Sequence, residues 1–432
     1  MAFGKKNSRK GRPADEAANL DIRENPNDFE DPSDDFDDLD DMDDDLDDID
    51  EDDEEEYQDY VAAKKKGGKK AAVAEAAPEG GKGKRKTTIL IVELVLLALV
   101  LAGLLGVQVI TRMEKVDSVQ VEEQVKESIS EEVLQSVETG QMKGYRNIAF
   151  FGVDSTKGEI KKNTRSDSIM IASINQDTGE CKLVSVYRDT YLNLGNDDYN
   201  KCNAAYAAGG PEQAIKMLNT NLDMNITDFV TVGFRGLTDA VDALGGIDIE
   251  VDSAERPHLN SYQLTMSKEL GKTYQEVTDT GVLHLNGLQT TAYCRIRYTA
   301  GDDYQRAARQ REVLRTIFEK AKKEDPATLT KMMQGILSEV YTSLSATELL
   351  ELIGSLNDFQ LAAENPDDKY GSGFPTQEYL KSGYIGAQSC VIPADLTANV
   401  VWLHEYLFED EDYAVSAKVQ ECSERISKTT GY

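Results

Sequence analysis

Six arginines, Arg165, Arg188, Arg295, Arg297, Arg306 and Arg309, fall at predicted strand ends and loop mouths, where side chains from distant segments can converge. Arg295 and Arg297 are two apart and share a side only in an extended segment, because a helix would splay them by about 200°. Asp303, Arg306 and Gln310 follow at intervals of three and four, which places them on one face of a helix. Asp154 after the first predicted strand and Asp167 before the second are short carboxylates of the kind that ligate hard cations. Arginines gathered with two carboxylates suit a dianionic group held with Mg²⁺, as in phosphoryl transfer. The same neighbours, Arg165 with Asp167 and Arg188 with Asp189, serve equally as structural ion pairs and loop caps.

Such a site needs a scaffold that brings the ends of separate segments together. Residues 147–153, 168–174 and 181–187 are short apolar runs bounded by turn residues, and Asn175-Gln-Asp-Thr-Gly179 predicts a hairpin between the last two. Pro211 to Leu222, with proline first and Ala214, Ile215 and Leu218 apolar, predicts a helix. Phe229 to Phe234 predicts a strand, Leu237 to Leu244 a helix ended by Gly245-Gly246, and Ile247 to Val251 another strand. Leu288 to Arg295 and Tyr304 to Lys323 predict helices, Ala327 to Leu356 two more, Gly371 to Pro375 a loop, and Ser416 to Ile426 a closing helix. The alternation argues for an α/β fold, a mixed central sheet flanked by helices on both faces.

Charge and apolar residues are segregated along the chain. Its 432 residues carry 79 acidic and 47 basic side chains, a net charge of −32. Residues 24–59 hold 23 acidic and no basic side chains. Repulsion there outweighs any burial of Phe36, Leu39, Met42, Leu46 and Ile49, so residues 1–86 read as a disordered tail. The acidic run is either a solvated spacer or an interaction tail, for a basic cytoplasmic partner or for the lysine-rich stretch at 64–86.

Ile89 to Ile110 is a run of 22 residues with Glu93 as its one ionisable group, about 33 Å long as a helix and sufficient to cross a bilayer. Lysines crowd its N-terminal side and only Arg112 and Lys115 follow closely, which places the N-terminus in the cytoplasm and the remainder outside. The run is too long, and too far from the N-terminus, for a signal peptide, so an uncleaved single-pass anchor is expected. Apolar residues near helical spacing from Val116 to Leu134 predict a stalk helix, within a stalk over 113–144. A catalytic domain over 145–325 and a helical C-terminal extension over 326–432 complete the predicted order.

Beyond the span lie 50 acidic and 32 basic side chains, a balance that disfavours a nucleic-acid surface. The five cysteines lack Cys-x-x-Cys spacing, which disfavours zinc. Cys181 and Cys294 read as small core residues, and Cys390 and Cys422 either pair or remain thiols. His258, His284 and His404 are scattered and read as surface or core residues.

Four stretches resemble the LytR-CpsA-Psr family of Gram-positive cell-envelope proteins: Phe151-Gly-Val-Asp-Ser155, Thr164-Arg-Ser-Asp-Ser168, Ser185-Val-Tyr-Arg-Asp-Thr190, and Tyr293-Cys-Arg-Ile-Arg297 with Asp303-Tyr-Gln-Arg-Ala-Ala-Arg-Gln310. Lys201-Cys-Asn-Ala-Ala-Tyr206 with Gly209-Gly210, and Ala243-Leu-Gly-Gly-Ile247, add to the resemblance, which runs from about Asn147 to Arg315. It implies a phosphotransferase that moves a glycopolymer from a polyprenyl-pyrophosphate carrier onto peptidoglycan through a phosphodiester, with the lipid in an apolar cavity between sheet and helices. Carried over by position, Asp154 and Asp167 are the implied Mg²⁺ ligands. Arg165, Arg188, Arg295, Arg297, Arg306 and Gln310 are the implied pyrophosphate grip. Arg188 and Asp303 are the implied catalytic residues, Asp303 assisting deprotonation of the acceptor hydroxyl. Arg309 adjoins the motif but points to another helix face. The chain departs from the family at Thr156, where arginine is common, at Tyr187, where proline is common, and at Ser168, where threonine is common. A second reading of the same resemblance is a non-catalytic envelope regulator that binds polyprenyl phosphates.

Overall fold

The computed structural model describes residues 123–155, 160–161, 163–325, 328–329, 339–364 and 370–432. The acidic tail, the predicted span, the start of the predicted stalk and Thr156 lie outside the described residues. No helix among the described residues is long and apolar enough to cross a membrane.

Two short helices open the described part of the chain, α1 (Glu123–Lys126) and α2 (Glu131–Thr139), the second capped by Ser130, whose Oγ accepts from Val133 N at 3.2 Å. They correct the predicted stalk. Val125, Ile129 and Val133 are buried in the main core, so from residue 123 on the apolar spacing read as one stalk helix is the inward face of two packed pieces.

The central sheet is built on β1 (Tyr145–Val153), which pairs antiparallel with β2 (Ser166–Asn175). β2 in turn pairs antiparallel with β3 (Glu180–Val186) through a hairpin whose turn is closed by Asn175, its Oδ1 accepting from Asp177 N at 3.0 Å. After β3 the chain forms a small β4–β5 ribbon (Tyr191–Asn193, Tyr199–Lys201) and α3 (Asn203–Leu222). It then returns as β6 (Ile226–Gly233), parallel to β1. The predicted start of α3 at Pro211 marks a kink instead. The helix begins eight residues earlier and bends at Gly209-Gly210, where Gly210 takes φ 71° and a Cβ would stand 2.7 Å from Lys161 O.

Next come α4 (Phe234–Ala243), β7 (Ile247–Val251), α5 (Glu255–Leu270), β8 (Gly281–Leu285), α6 (Gly287–Tyr293) and α7 (Asp302–Ala321). β7 pairs only with β8, outside the central sheet, and Phe234, predicted to end a strand, opens α4. Beyond α7 the expectation of a purely helical extension fails. Val340–Thr342 (β9) pairs antiparallel with β6, while Gln360–Leu361 (β10) and Gly373–Phe374 (β11) both pair with β3. The sheet order is β10-β3-β2-β1-β6-β9, so no boundary at 325 separates a domain from an appendage. These strands are two or three residues long, and their stability comes from partners more than 100 residues away rather than from local pattern. A β12–β13 hairpin (Leu380–Ile385, Gln388–Pro393) follows the helix α8 (Ala346–Gly354) and these strands. Two last helices, α9 (Leu396–Phe408) and α10 (Ala417–Thr430), close the fold.

Side-chain alternation along the strands fixes the two faces. Ala149, Phe151, Val153, Ile169 and Ile171 meet the α1–α3, α9 and α10 side, whereas Ile148, Ala172, Ile174 and Leu183 meet Leu314 of α7 and Leu352 of α8. The protein is therefore a mixed α/β fold with helices on both faces of a mixed sheet. All five cysteines are buried and unbridged.

Candidate active site

The β1–β2 pairing contains an irregularity that bears directly on the site. Gly152 pairs with Ser168 but Val153 pairs with Ser166, which leaves Asp167 as the extra residue of a bulge. A bulge turns its extra side chain out of strand alternation. A Cβ on Gly152 would lie 2.9 Å from Ser168 Cβ, so glycine permits the close approach of the strands there.

Arg188 reaches the same point from the end of β3. Its backbone is held by several neighbours: Cys202 Sγ donates to Arg188 O at 3.1 Å, Asn203 N donates to it at 3.1 Å, and Val391 N donates to Asp189 O at 2.9 Å. The Lys201–Tyr206 motif thus pins Arg188, a role its residue types did not reveal. Arg188 Nη1 donates to Asp167 Oδ1 at 2.7 Å, and its Nε lies 3.5 Å from Asp303 Oδ2. On the first turn of α7, Asp303 Oδ1 pairs with Arg306 Nη2 at 2.8 Å, and Arg306 also donates to Asp167 O at 3.3 Å.

Burial pushes the Asp167 carboxyl up, but Arg188, Arg306 and Arg297 outweigh it and hold it below the ordinary carboxylate value. Asp303 behaves likewise: burial raises it, and Arg306, Arg188 and Arg297 bring it down past its usual value. Burial lowers Arg306, against Asp303, yet a guanidinium remains cationic in a protein. Arg188 goes the other way, because Asp303, Asp167 and Asp189 together outweigh its burial.

Asp167, Arg295, Arg297, Arg306 and Gln310 line part of a pocket between sheet and helices. The remaining wall is apolar: Phe150, Met170, Val230 and Val232 from the sheet, Phe234 and Leu237 from α4, and Val313, Leu314 and Ile317 from α7. Arg295 is steadied by aromatic faces, its Cζ 4.7 Å from the Phe234 ring centroid and 5.2 Å from that of Tyr262. Gln310 donates from Nε2 to Cys294 O at 3.3 Å. α6, which delivers this segment, is closed at its start by a reciprocal Asn286–Gln289 capping box. A polar cationic mouth on an apolar sleeve suits an amphiphile with an anionic head.

The predicted residues do not all meet. Asp167, Arg188, Arg297, Asp303 and Arg306 form one charge cluster, with Arg295 and Gln310 on the same pocket wall. Asp154 and Arg165 are exposed and do not line the pocket; the strand register sets them at the end of the β1–β2 pair, beside the bulge. Arg309 is 1% exposed and turned away from the pocket. Arg311, which sequence reasoning passed over, is fully buried and joins α7 to Ser185 Oγ at 2.7 Å, to Glu364 and to Tyr370 O. Among the described residues no group of three or more His, Cys, Asp or Glu side chains could hold a metal ion alone.

The profile of the LytR_cpsA_psr family matches residues 108–364, more than half of the chain. The chain belongs to this family. LytR_cpsA_psr relatives include biofilm regulatory protein A of Streptococcus mutans, 29% identical over 246 residues, covering 52% of this chain and 58% of that protein. The polyisoprenyl-teichoic acid–peptidoglycan teichoic acid transferase TagV of Bacillus subtilis is 29% identical over 215 residues, covering 48% of this chain and 51% of that protein. The chain thus spans between half and two thirds of the length of these relatives. Among solved structures, a transcriptional regulator from Enterococcus faecalis superposes with a TM-score of 0.51 at 21% identity, covering 68% of this chain and 97% of that one, a likeness of fold. The family profile reaches well past the predicted limit at 325 and takes in β9 and β10, in keeping with their place in the central sheet.

Proposed function

We propose that this LytR_cpsA_psr chain is a Mg²⁺-dependent phosphotransferase that moves a glycopolymer from polyprenyl pyrophosphate onto peptidoglycan through a phosphodiester. One observation carries the reading: an apolar sleeve between sheet and helices that opens on Arg295, Arg297, Arg306 and Gln310. A polyprenyl chain matches the sleeve and a pyrophosphate matches the mouth. The name of the Bacillus subtilis relative, a teichoic acid transferase, supports the class of reaction.

In this reading the acceptor hydroxyl oxygen attacks the phosphorus that bears the sugar, the bond from that phosphorus to the polyprenyl phosphate oxygen breaks, and polyprenyl monophosphate leaves. The protein contributes alignment and charge neutralisation rather than a covalent nucleophile. Arg297 and Arg306 hold the two phosphates, Arg188 orders Asp167 beside them, and Arg165 guards the exposed approach. Asp303 enters as a carboxylate saturated by Arg306 and Arg188, a poor proton acceptor. As phosphate oxygens take over those guanidinium groups, its proton affinity rises, which fits it to receive the acceptor's proton. Asp154 and Asp167 would hold Mg²⁺, two hard donors that leave positions for phosphate oxygens. The bound ion would neutralise charge on the transferred phosphoryl.

The topology that goes with this function places residues 1–86 in the cytoplasm, residues 89–110 across the membrane, and the folded part outside, beside its lipid carrier and the wall. A second reading, a regulator that binds polyprenyl phosphates without turnover, draws on the same pocket and on the name of the Streptococcus mutans relative. Incubation of the full chain in detergent with Mg²⁺, a lipid-pyrophosphate glycan and peptidoglycan fragments separates the two. Linked product that disappears in Arg188→Ala supports the transferase; tight lipid binding without product in the wild type supports the regulator. Lipid phosphate release without glycan transfer would indicate a hydrolase instead.

A further inference from the structure

Three of the four arginines of α7 do three different things. Arg306 faces the pocket and Arg311 ties the C-terminal segment to β3. Arg309 grips the segment between α6 and α7. Its Nη1 donates to Ile296 O at 2.9 Å, its Nη2 donates to Thr299 Oγ1, and its Nε donates to Glu255 Oε1 at 2.8 Å. Glu255 is itself fixed at the start of α5, its Oε2 accepting from Asp252 N at 2.9 Å.

The gripped segment carries Arg295 and Arg297, both on the pocket wall. Ile296 stands between them with no exposed surface, its side chain packed in the apolar cluster of α5, α6 and the β7–β8 ribbon. Its side chain points into that cluster and its carbonyl is taken by Arg309. The stretch is a turn rather than a strand, with Arg295 N donating to Ala292 O at 3.1 Å and Ile296 N to Tyr293 O at 3.3 Å, and the inward anchoring of Ile296 leaves the arginines on either side of it on the pocket wall. The planar guanidinium fork makes this grip possible, since three N–H groups reach a carboxylate, a carbonyl and a hydroxyl at once; a lysine ammonium keeps the charge but not the fork.

We propose that Arg309, neutralised by Glu255, is the positioning residue that sets Arg295 and Arg297 at the pocket mouth, so that it governs headgroup affinity without touching the headgroup. The proposal rests on the pyrophosphate reading of the pocket. Two arginines of one helix turn thereby take different roles, Arg306 meeting the ligand and Arg309 placing the other residues that meet it.

The test is a titration of the full chain in detergent with geranylgeranyl pyrophosphate, comparing wild type with Arg309→Lys, Thr299→Ala, Arg297→Ala and the Arg297→Ala/Arg309→Lys double variant. Arg309→Lys retains a cation for Glu255 and loses the grip on Ile296 and Thr299, so affinity should fall about tenfold or more, with Thr299→Ala following in the same direction by a smaller factor. In the Arg297→Ala background the further loss from Arg309→Lys should shrink markedly, because part of its effect acts through Arg297. A merely structural role would lower the melting temperature and leave the two losses multiplicative. The proposal is overturned if Arg309→Lys binds like wild type, or if its loss is the same factor with and without Arg297. Should Arg309→Lys fail to fold, wild-type affinity in Thr299→Ala overturns it. Absence of any binding by the wild type rejects the pyrophosphate reading and the positioning role together, a result distinct from normal wild-type binding with an unaffected Arg309→Lys.

Discussion

Asp167 and Arg188 meet at 2.7 Å although they lie on different strands, Asp167 in the β1–β2 bulge and Arg188 just past the end of β3. The pair joins the two segments that the proposed chemistry requires. It also explains why Asp167 stays ionised in a largely buried place: the cations around it outweigh the burial.

Arg188→Ala should therefore do two things. It leaves the Asp167 carboxylate without its nearest cation, and it removes charge stabilisation worth about 2–4 kcal/mol in the barrier. A fall in transfer rate of about 30-fold to 10³-fold is expected. Single-turnover measurement of lipid phosphate release checks it, and a rate within a few-fold of wild type would remove Arg188 from the mechanism.

The sleeve and the mouth should respond separately. Leu314→Trp places an indole in the apolar part of the pocket, away from the arginines. Affinity for a long-chain polyprenyl pyrophosphate should fall by about tenfold or more, as expected when a filled site no longer buries the chain, while inorganic pyrophosphate binds as before. Parallel titrations of the two ligands read the difference; equal losses for both would place the lipid elsewhere.

Arg311→Ala should act on stability alone. It strands Glu364 and leaves Ser185 Oγ and the Tyr370 carbonyl without their donor. Glu364 keeps some contact with solvent, so the cost is that of the buried acceptors left unsatisfied, about 1–3 kcal/mol. Denaturant unfolding should show a lower midpoint with lipid affinity per folded molecule unchanged, and an unchanged midpoint would contradict the burial argument.

His404 makes stability depend on pH. It stacks on Tyr413 at 3.6 Å, its Nε2 is 3.0 Å from Leu222 O, and burial lowers its imidazole to about 4. Between its ordinary value near 6.5 and about 4, the unfolded chain binds a proton that the folded one refuses, so stability falls as pH falls through that window. The loss is on the order of 3 kcal/mol across the full window. Asp223, raised by burial, opposes it, since the folded state holds that proton more readily. Subtracting the His404→Phe unfolding curve from the wild-type curve isolates the histidine, and parallel curves from pH 7 to 4 would refute the assignment.

Much of the fold is local and therefore legible. The short apolar runs of β1, β2 and β3, the Asn175–Gly179 turn and the helical spacing of α7 each reside in a few consecutive residues. The helical spacing from Asp303 to Gln310 is local in the same way, whereas Arg306 and Arg309, neighbours three apart on that helix, take different roles only through the distant groups they meet. The stalk misled because an amphipathic stripe says that a helix buries one face, not what it buries it against. Val125, Ile129 and Val133 find the main core.

What the amino-acid order determined by itself was the strands and helices with a strong local pattern, such as β1 to β3, β6, β7, α4 and α7, together with the family's motifs and the chemical types available to a site, because these depend on residues close together in the chain. Tertiary structure alone decided that Asp167 becomes a bulge residue, that β9, β10 and β11 join the sheet, and that Cys202 and Val391 pin the arginine loop. Those outcomes depend on hydrogen bonds between segments far apart in the chain. Such contacts form only once packing has offset the entropy of closing the intervening loops, and no short stretch of sequence carries that balance.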